Sequence, residues 1–482
     1  MKKLDANQVS DIISLSPMQE GMLFHYLKEP DSSLYFEQIS LHVSSAVHIA
    51  AFQQAWRHVV SVNEMLRAVF RWEGVKAPLL IILKELPDFL RCVDVSAQVT
   101  EDRNTFVANL LDEDRANKFD LREGAFRVSL YKLGDEDYQL ILSHHHILFD
   151  GWSTGILLAE FMEAYQQLLE QRQPTVAAKR KFKDFIKSVQ QKDKAEQETF
   201  WKTYLQEVNP LWLQETIPAN HSRASKHTVE KKQARLDIPQ SLHAEIKRQG
   251  KHAISCYLYG AWALLHYFYA DSKDVVFGTT ISGREESLDG IEKMVGLFIN
   301  TLPLRLAIDP DESLQAFLER VFASMNARKH YGSTSLREIK KYSGLPFEKE
   351  LFDTVLVIEN YPLQPHSKNR NFVIDSFSYR EETNYPLTIF ITLWETIELV
   401  VDYDCRVYSE AFVQELCARY KMILTYLVEQ PLAMIRTVDF LFPEEKQKLL
   451  GEWVNTKVAL PTGKTIHQLF EEQVDKTPER IA

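Results

Sequence analysis

Residues 143–153 read SHHHILFDGWS, and this stretch decides how the rest of the chain is interpreted. The three histidines follow an apolar run and precede an Asp-Gly pair, which is typical of a strand that ends in a tight turn. Because side chains alternate along a strand, His144 and His146 share one face, about 7 Å apart, while His145 points to the other. An imidazole at such a strand end can handle a proton near neutral pH, since its ordinary pKa is about 6.5.

Several roles are open to this cluster. Zinc needs at least three convergent ligands, only two of the histidines can converge, and no third ligand is expected near them, so no metal is expected. His144 and His145 fit buried, hydrogen-bonded histidines, and His146 is the better candidate for chemistry. Asp150 is expected to pair with an arginine and hold the turn, while the N–H of Gly151 can face a developing oxyanion.

The surrounding sequence mixes helical and strand patterns and predicts an α/β or α+β fold. Ser16 and Pro17 open a capped helix, and a hairpin of strands with its turn at 134–137 spans 127–149. The polar region 171–230 is interpreted as a junction between two lobes. Further helices are predicted at 49–61, 153–170, 182–205, 240–249, 255–270 and 409–429, and strands at 275–280, 299–306, 353–359, 372–379, 386–393 and 397–403.

Composition narrows the class of protein. A chain of 482 residues exceeds the usual size of one core, so two lobes are expected. The net charge of −11 argues against nucleic-acid binding. No leader and no run of 18 apolar residues is visible, so a cytoplasmic protein without a membrane segment is expected. The four cysteines show no CxxC spacing, which favours free thiols in a reducing compartment.

The stretch HHILFDG at 145–151 matches the HHxxxDG signature of condensation domains of nonribosomal peptide synthetases. Asn63 and Ala68 depart from that family's usual histidine and threonine, while Arg67 matches. Other stretches that resemble the family's motifs follow in its order: LSPMQEGMLFH at 15–25, NEMLRAVF at 63–70, FKDFI at 182–186, VGLFINTLPLR at 295–305, LPFE at 345–348, and FDT at 352–354 with ENYP at 359–362.

The resemblance implies two chloramphenicol acetyltransferase-like lobes in a V-shaped pseudo-dimer, with a substrate tunnel to the site between them. It implies that His146 acts on the acceptor amine, with Gly151 beside it, and that His145 and Asp150 are structural. Arg284 is the first candidate to pair with Asp150, and Arg67 is the second. Trp152, Ser153 and Asn300 are expected to line the tunnel.

The resemblance also implies partners. Both substrates arrive on the 4'-phosphopantetheine of carrier proteins, and the domain itself binds no cofactor. An upstream carrier protein brings the donor, and an adenylation domain and acceptor carrier lie downstream. Residues 8–13 resemble a communication segment that recruits a synthetase in trans, which favours a D-donor and L-acceptor. The tail from Thr465 resembles the start of an adenylation domain, so the chain is expected to be part of a larger protein.

The expected domains are therefore a communication segment at 1–14, lobes at 15–175 and 176–450, and a linker with the start of an adenylation domain at 451–482. Four rival functions remain. An epimerisation domain needs a glutamate in a Gly-His-Gly-Arg context, which is absent, and a heterocyclisation domain replaces the first histidine with aspartate. A free-standing acyltransferase lacks the adenylation-like tail. A non-catalytic module that docks carrier proteins has no chemical need for His146.

Overall fold

The strand that carries the histidines lies in the middle of a five-stranded sheet in the computed structural model. The structure describes residues 5–99, 102–175, 178–216, 231–284, 288–346, 348–359, 371–393, 396–456 and 462–480. Its strands are β1 (Val9–Ser14), β2 (Phe36–Val43), β3 (Ala68–Arg71), β4 (Leu79–Leu83), β5 (Leu90–Asp94), β6 (Phe126–Gly134), β7 (Asp137–His145), β8 (Lys231–Ile238), β9 (Asp274–Ile281), β10 (Asn300–Ala307), β11 (Thr354–Glu359), β12 (Ile374–Arg380), β13 (Leu387–Leu393) and β14 (Ile397–Asp404).

The helices predicted at 49–61, 153–170, 240–249, 255–270 and 409–429 are present, and each begins and ends within two residues of the expected position. The stretch predicted at 182–205 forms two helices, and the helices at 103–116, 314–329 and 336–343 were not predicted. The helices are α1 (Pro17–Lys28), α2 (Ile49–Val62), α3 (Arg103–Ala116), α4 (Gly151–Leu169), α5 (Phe182–Gln190), α6 (Lys194–Tyr204), α7 (Gln240–Gln249), α8 (Ile254–Ala270), α9 (Leu314–Lys329), α10 (Leu336–Ser343), α11 (Glu410–Glu429), α12 (Pro443–Gln447) and α13 (Ile466–Lys476). The predicted mixed fold is confirmed.

The first sheet has the order β12-β2-β7-β6-β5, with β7 antiparallel to both of its neighbours. α2 and α4 cover one face of it, because both helices carry a continuous apolar stripe. Trp56 of α2 stacks on Phe161 of α4 with ring centroids 4.8 Å apart, and both side chains are fully buried. This packing fixes the helix that begins directly after the histidine turn.

The second sheet has the order β10-β9-β11-β13-β14-β8, in which β11 runs parallel to β9 and β13. α8 and α11 pack on it through fully buried residues such as Trp262 and Leu424. The hydroxyl of Tyr420 on α11 donates a hydrogen bond to the carbonyl oxygen of Leu258 on α8 at 3.0 Å. A buried tyrosine of this kind adds directional bonding to an otherwise apolar contact.

One strand crosses from the second half of the sequence into the first sheet. β12 pairs antiparallel with β2, with Phe377 opposite Leu41, so the five-stranded sheet is completed by a strand that lies beyond the boundary expected at residue 175. The N-terminal boundary also differs. Residues 1–14 were expected to form a separate communication segment, but from Val9 onward they form β1. This strand pairs with β4 in a small sheet of order β1-β4-β3 and is therefore part of the fold.

Contacts divide the chain into two units, Met1–Val438 and Asp439–Ala482, so the last unit begins earlier than the expected residue 451. Within the last unit, α13 begins with a capping box at Thr465, whose backbone N–H donates to Oε1 of Gln468 at 2.9 Å. Phe347, residues 360–362 of the last family-like motif and residues 217–230 of the expected junction lie outside the described residues.

Candidate active site

The backbone of the histidine turn is held by hydrogen bonds to two other parts of the chain. β7 ends at His145, and the N–H of His146 donates to the carbonyl oxygen of Tyr35, just before β2, at 2.8 Å. The side-chain amide of Gln19 on α1 donates to the carbonyl oxygen of Ile147 at 2.9 Å. The opening helix, β2 and β7 therefore position one turn, whose last residue caps α4.

His146 has its two ring nitrogens in different surroundings. Nδ1 lies 2.9 Å from the carbonyl oxygen of Phe149 and 2.8 Å from Oε1 of Glu37. Both of these atoms are acceptors, so Nδ1 carries the proton. Among the described residues, Nε2 has no hydrogen-bond partner, and 14% of the side chain is exposed. The ring is thus accessible and presents a lone pair.

The sequence did not predict Glu37, because no motif or spacing links residue 37 to the 143–153 stretch. It lies on β2 directly opposite His144, and its Oε2 is 2.9 Å from Nε2 of that residue. The hydroxyl of Tyr379 on β12 also donates to Oε2. The expectation that no third ligand lies near the histidines was therefore wrong, because the ligand atoms of Glu37, His144 and His146 lie within 4.8 Å of one another.

The distances between the carboxylate of Glu37 and the two histidine rings fit a direct contact better than shared coordination of a metal ion. Nitrogen and oxygen ligands at roughly 2.0–2.1 Å from a tetrahedral zinc ion lie about 3.3 Å from each other. The carboxylate oxygens of Glu37 lie 2.8 Å and 2.9 Å from the ring nitrogens, which is shorter than that ligand-to-ligand spacing and is the range of a close ion pair. We therefore interpret Glu37 as a partner of the two rings.

Burial and the negative charge of Glu37 shift the pKa values of the three histidines in different directions. Burial alone would lower the pKa of His146, but Glu37, the carbonyl of Phe149 and Asp150 outweigh it, so the net shift is upward. Burial lowers the pKa of His144 despite Glu37. For His145, burial and the neighbouring rings lower the pKa to about 3. Burial would raise the pKa of Glu37, yet His146 and His144 hold it well below its ordinary range.

His145 faces the other side of β7, as the strand alternation predicted. It is 4% exposed, and its Nδ1 accepts the N–H of Ile147 at 3.2 Å. Its ring lies between Tyr26 and Tyr35, with centroids 5.8 Å and 6.1 Å away. With a strongly lowered pKa it stays neutral, which fits the structural role expected for it.

Asp150 anchors the turn through the expected pairing with Arg284. Nη2 of Arg284 lies 2.9 Å from Oδ1 of Asp150, whose Oδ2 accepts the N–H of Phe298 at 3.1 Å. Nη1 of Arg284 donates to the carbonyl oxygens of Ile291 and Met294 at 2.7 Å and 2.9 Å. Each charge therefore has several partners, which compensates its removal from water.

Two of the predicted site residues have contacts other than those expected. Arg67 was named as an alternative partner of Asp150, but its guanidinium donates to the carbonyl oxygens of Val60, Ser61 and Lys84, so it is not part of this site. Ser153 was expected to line a tunnel. It is fully buried, and its hydroxyl contacts Asp150, Arg284 and Gly296 at 2.8–3.1 Å. Ser153 therefore belongs to the network that holds the turn.

Asn300 and Trp152 were also expected on the tunnel. Asn300 is 7% exposed. Its side-chain amide donates to the carbonyl oxygens of Gly332 and Thr334 at 2.7 Å and 2.8 Å and so fixes the loop that contains these two residues to the start of β10. Trp152 is 38% exposed and donates from Nε1 to the carbonyl oxygen of Glu292 at 3.1 Å. Of the two, Trp152 has surface left for a substrate.

Gly151 is the first residue of α4 and borders a cavity of about 180 Å³. Residues of β2, α4 and β12 line one side of it, and residues of β8, β13 and β14 line the other. Tyr379, which bonds to Glu37, is among the lining residues. This cavity therefore lies between the two sheets, next to the capped helix end. No helix in the described ranges is long and apolar enough to span a bilayer.

Comparison with known proteins agrees with this geometry. The sequence model of the condensation domain matches residues 9–450. The chain is 32% identical to gramicidin S synthase 2 of Brevibacillus brevis over 100% of its own length, and 30% identical to bacitracin synthase 1 of Bacillus licheniformis, also over 100%. It spans only 11% and 9% of the lengths of these two relatives.

A solved structure gives the fold. The first condensation domain of the calcium-dependent antibiotic synthetase superimposes with a TM-score of 0.74 at 19% identity, over 90% of this chain and 100% of that one. At this identity the likeness establishes the fold alone, and the match of the family model to 442 consecutive positions, from 9 to 450, establishes the family. The chain therefore belongs to the condensation domains, the family that forms amide bonds in nonribosomal peptide synthetases.

Proposed function

We propose that this chain joins two carrier-tethered aminoacyl groups, with His146 as the residue that takes the proton of the acceptor amine. The observation that carries the proposal is the state of the His146 ring. Its Nδ1 is occupied by two acceptors, and its Nε2 has no partner among the described residues. Above its pKa the ring is a neutral imidazole whose lone pair lies on an accessible nitrogen, and this form is suited to general base catalysis.

In the proposed step, the acceptor α-amine attacks the carbonyl carbon of the donor thioester. A C–N bond forms and the C–S bond breaks. The proton lost by the nitrogen passes to Nε2 of His146 and then to the leaving sulfur, so an amide and a thiol are the products and the imidazole is regenerated. The N–H of Gly151, at the first turn of α4, is proposed to polarise the thioester carbonyl.

The proposal includes the partners. Donor and acceptor are held on the phosphopantetheine of two carrier proteins, and an adenylation domain begins in the tail that contains Thr465. The exposed face of Trp152 is proposed to contact one pantetheine arm. The likeness of residues 8–13 to communication segments supports a D-donor and L-acceptor, and a trans partner would then contact the sheet that contains β1.

Intact-protein mass spectrometry tests this function. The purified chain is mixed with a donor carrier loaded with a D- or L-aminoacyl group and an acceptor carrier loaded with an L-aminoacyl group. We expect dipeptide on the acceptor carrier, formed faster from the D-donor. If both carriers keep their loads, peptide-bond formation is contradicted. Faster product from the L-donor contradicts only the subtype, and deuterium uptake from solvent at the α-carbon without dipeptide would indicate epimerisation.

A further inference from the structure

A buried carboxylate lies against the proposed base, and the proposed proton transfer does not use it. Glu37 is 1% exposed and contacts His146 through Oε1 and His144 through Oε2. An ionised carboxylate at such a position is unfavourable unless partners compensate it. Its partners here are the two rings and the hydroxyl of Tyr379.

We propose that Glu37 is a positioning residue for His146: it keeps the proton on Nδ1 and the lone pair on Nε2, and Tyr379 holds the carboxylate in place. This inference rests on the proposed role of His146. Glu37 does not contact the reacting atoms in it, and its carboxylate stays ionised throughout, so the proton balance of the reaction is unchanged.

The tautomer of His146 follows from the donors and acceptors around its ring. A neutral imidazole has one N–H, and that N–H goes to the nitrogen that faces acceptors. The carbonyl oxygen of Phe149 alone already favours Nδ1–H at 2.9 Å. The carboxylate of Glu37 adds a negatively charged oxygen 2.8 Å from the same nitrogen, which raises the energy of the tautomer with a bare Nδ1 further.

Glu37 also acts on the imidazolium that forms when Nε2 takes the proton. Its negative charge stabilises this positive charge, and the upward shift of the His146 pKa agrees with that. The other titratable groups around the pair are His144 and His145 on β7, Tyr379 on β12, and Asp150 with its partner Arg284. Asp150 is paired with Arg284 and accepts the N–H of Phe298, whereas Glu37 contacts the His146 ring directly.

Tyr379 extends the connection to the second half of the sequence. It lies on β12, the strand that crosses into the first sheet, and it lines the cavity beside Gly151. Its hydroxyl donates to the oxygen of Glu37 that faces His144, which leaves Oε1 for His146. The position of β12 and the orientation of the base are therefore coupled through one carboxylate.

The test compares pH profiles of single-turnover dipeptide formation. Glu37→Gln keeps the shape and removes the charge, and Glu37→Asp keeps the charge with a shorter reach. Asp137→Asn is the matched control, since Asp137 on β7 lies 3.1 Å from His42 on β2 and forms a histidine–carboxylate pair between the same two strands. We expect Glu37→Gln to lower the maximal rate about 10- to 100-fold and to move the acid limb of the profile to lower pH.

We expect Glu37→Asp to fall between wild type and Glu37→Gln, and Asp137→Asn to keep the wild-type profile. In a His146→Ala background, Glu37→Gln should cause no further loss, because a positioning residue acts only through its partner. An unshifted acid limb in Glu37→Gln, or an equal loss with and without His146, overturns the inference. If His146→Ala itself keeps the wild-type rate, the proposed function of His146 has failed instead.

A second measurement does not depend on folding of the Glu37 variants. ¹⁵N NMR of the wild-type chain, with the His146 signal assigned by its loss in His146→Ala, reports which ring nitrogen is protonated. Above the acid limb we expect a protonated Nδ1 and a bare Nε2, and in Tyr379→Phe a smaller share of that tautomer. A wild-type ring protonated on Nε2 overturns the inference.

Discussion

Arg284 and Asp150 form an ion pair that joins the two halves of the sequence at the histidine turn, with Nη2 and Oδ1 2.9 Å apart. Their side chains are 6% and 1% exposed. Asp150 also caps α4, because its Oδ1 accepts the N–H of Ser153 at 3.0 Å. The turn that carries the proposed base is thus fixed by a residue that follows β9.

The first prediction concerns this pair. Asp150→Ala removes one partner of a buried ion pair and leaves Arg284 without its charge partner, so we expect a loss of about 3–5 kcal/mol in the free energy of unfolding. Dipeptide formation should fall with it, because the turn is no longer held. Urea unfolding and the carrier assay measure the two effects.

Asp112→Ala is the matched control for that prediction. Asp112 pairs with Arg380 at 3.1 Å, but both side chains are exposed, so a change below about 1 kcal/mol is expected. An Asp150→Ala protein as stable as Asp112→Ala, or one that keeps full activity, would show that the ion pair does not hold the turn.

The second prediction uses two glycines with similar backbone angles. Gly283 has φ of +62°, and a Cβ there would lie 1.9 Å from the carbonyl oxygen of Phe298. Gly74 has φ of +71° with no atom within 4 Å of the added carbon. Both alanine variants incur the left-handed strain of about 1–2 kcal/mol. Gly283→Ala should lose roughly 1–3 kcal/mol more because of overpacking.

Activity separates the two glycine variants further. Gly283 precedes Arg284, so the clash displaces the arginine that pairs with Asp150, and we expect Gly283→Ala to lose dipeptide formation while Gly74→Ala keeps it. Equal stability and equal activity of the two variants would contradict the close approach of Gly283 to Phe298.

The third prediction concerns His145 and pH. Burial lowers its pKa in the folded chain to about 3 from an ordinary value of 6.5. Below pH 6.5 the unfolded chain therefore takes up a proton that the folded chain does not, and stability falls as the pH drops towards 3. His145→Gln removes this contribution, so the slope of unfolding free energy between pH 6 and pH 4.5 should decrease by about 1.4 kcal/mol per pH unit.

His330→Gln controls for loss of a histidine at the surface, since its side chain is 68% exposed, and it should keep the wild-type slope. Denaturant unfolding at a series of pH values measures both. If His145→Gln keeps the wild-type slope, His145 is not held neutral by the fold.

Local patterns predicted much of the structure. Apolar periodicity predicted α2, α4 and α11, and the turn at 134–137 predicted the β6–β7 hairpin. Family resemblance predicted the pairing of Asp150 with Arg284. These features depend on spacing within one segment or on motif order, and both can be read directly from a sequence.

The remaining features depend on contacts between distant segments. Glu37 meets His146 only because β2 pairs with β7 in one register, and that register is not encoded by a local pattern. Tyr379 reaches the same carboxylate only through the crossover of β12. A motif match does not indicate which neighbours a side chain contacts. For that reason Ser153 and Arg67 were assigned wrongly.

The fourth prediction is the most direct test of the central claim, that Nε2 of His146 takes the proton of the attacking amine. It compares the single-turnover rate of dipeptide formation by His146→Ala and wild type with both loaded carriers at saturating concentration. The account predicts a loss of about 10²–10⁴-fold in a protein that remains folded under the assay conditions. A folded His146→Ala protein that forms dipeptide at the wild-type rate would contradict it.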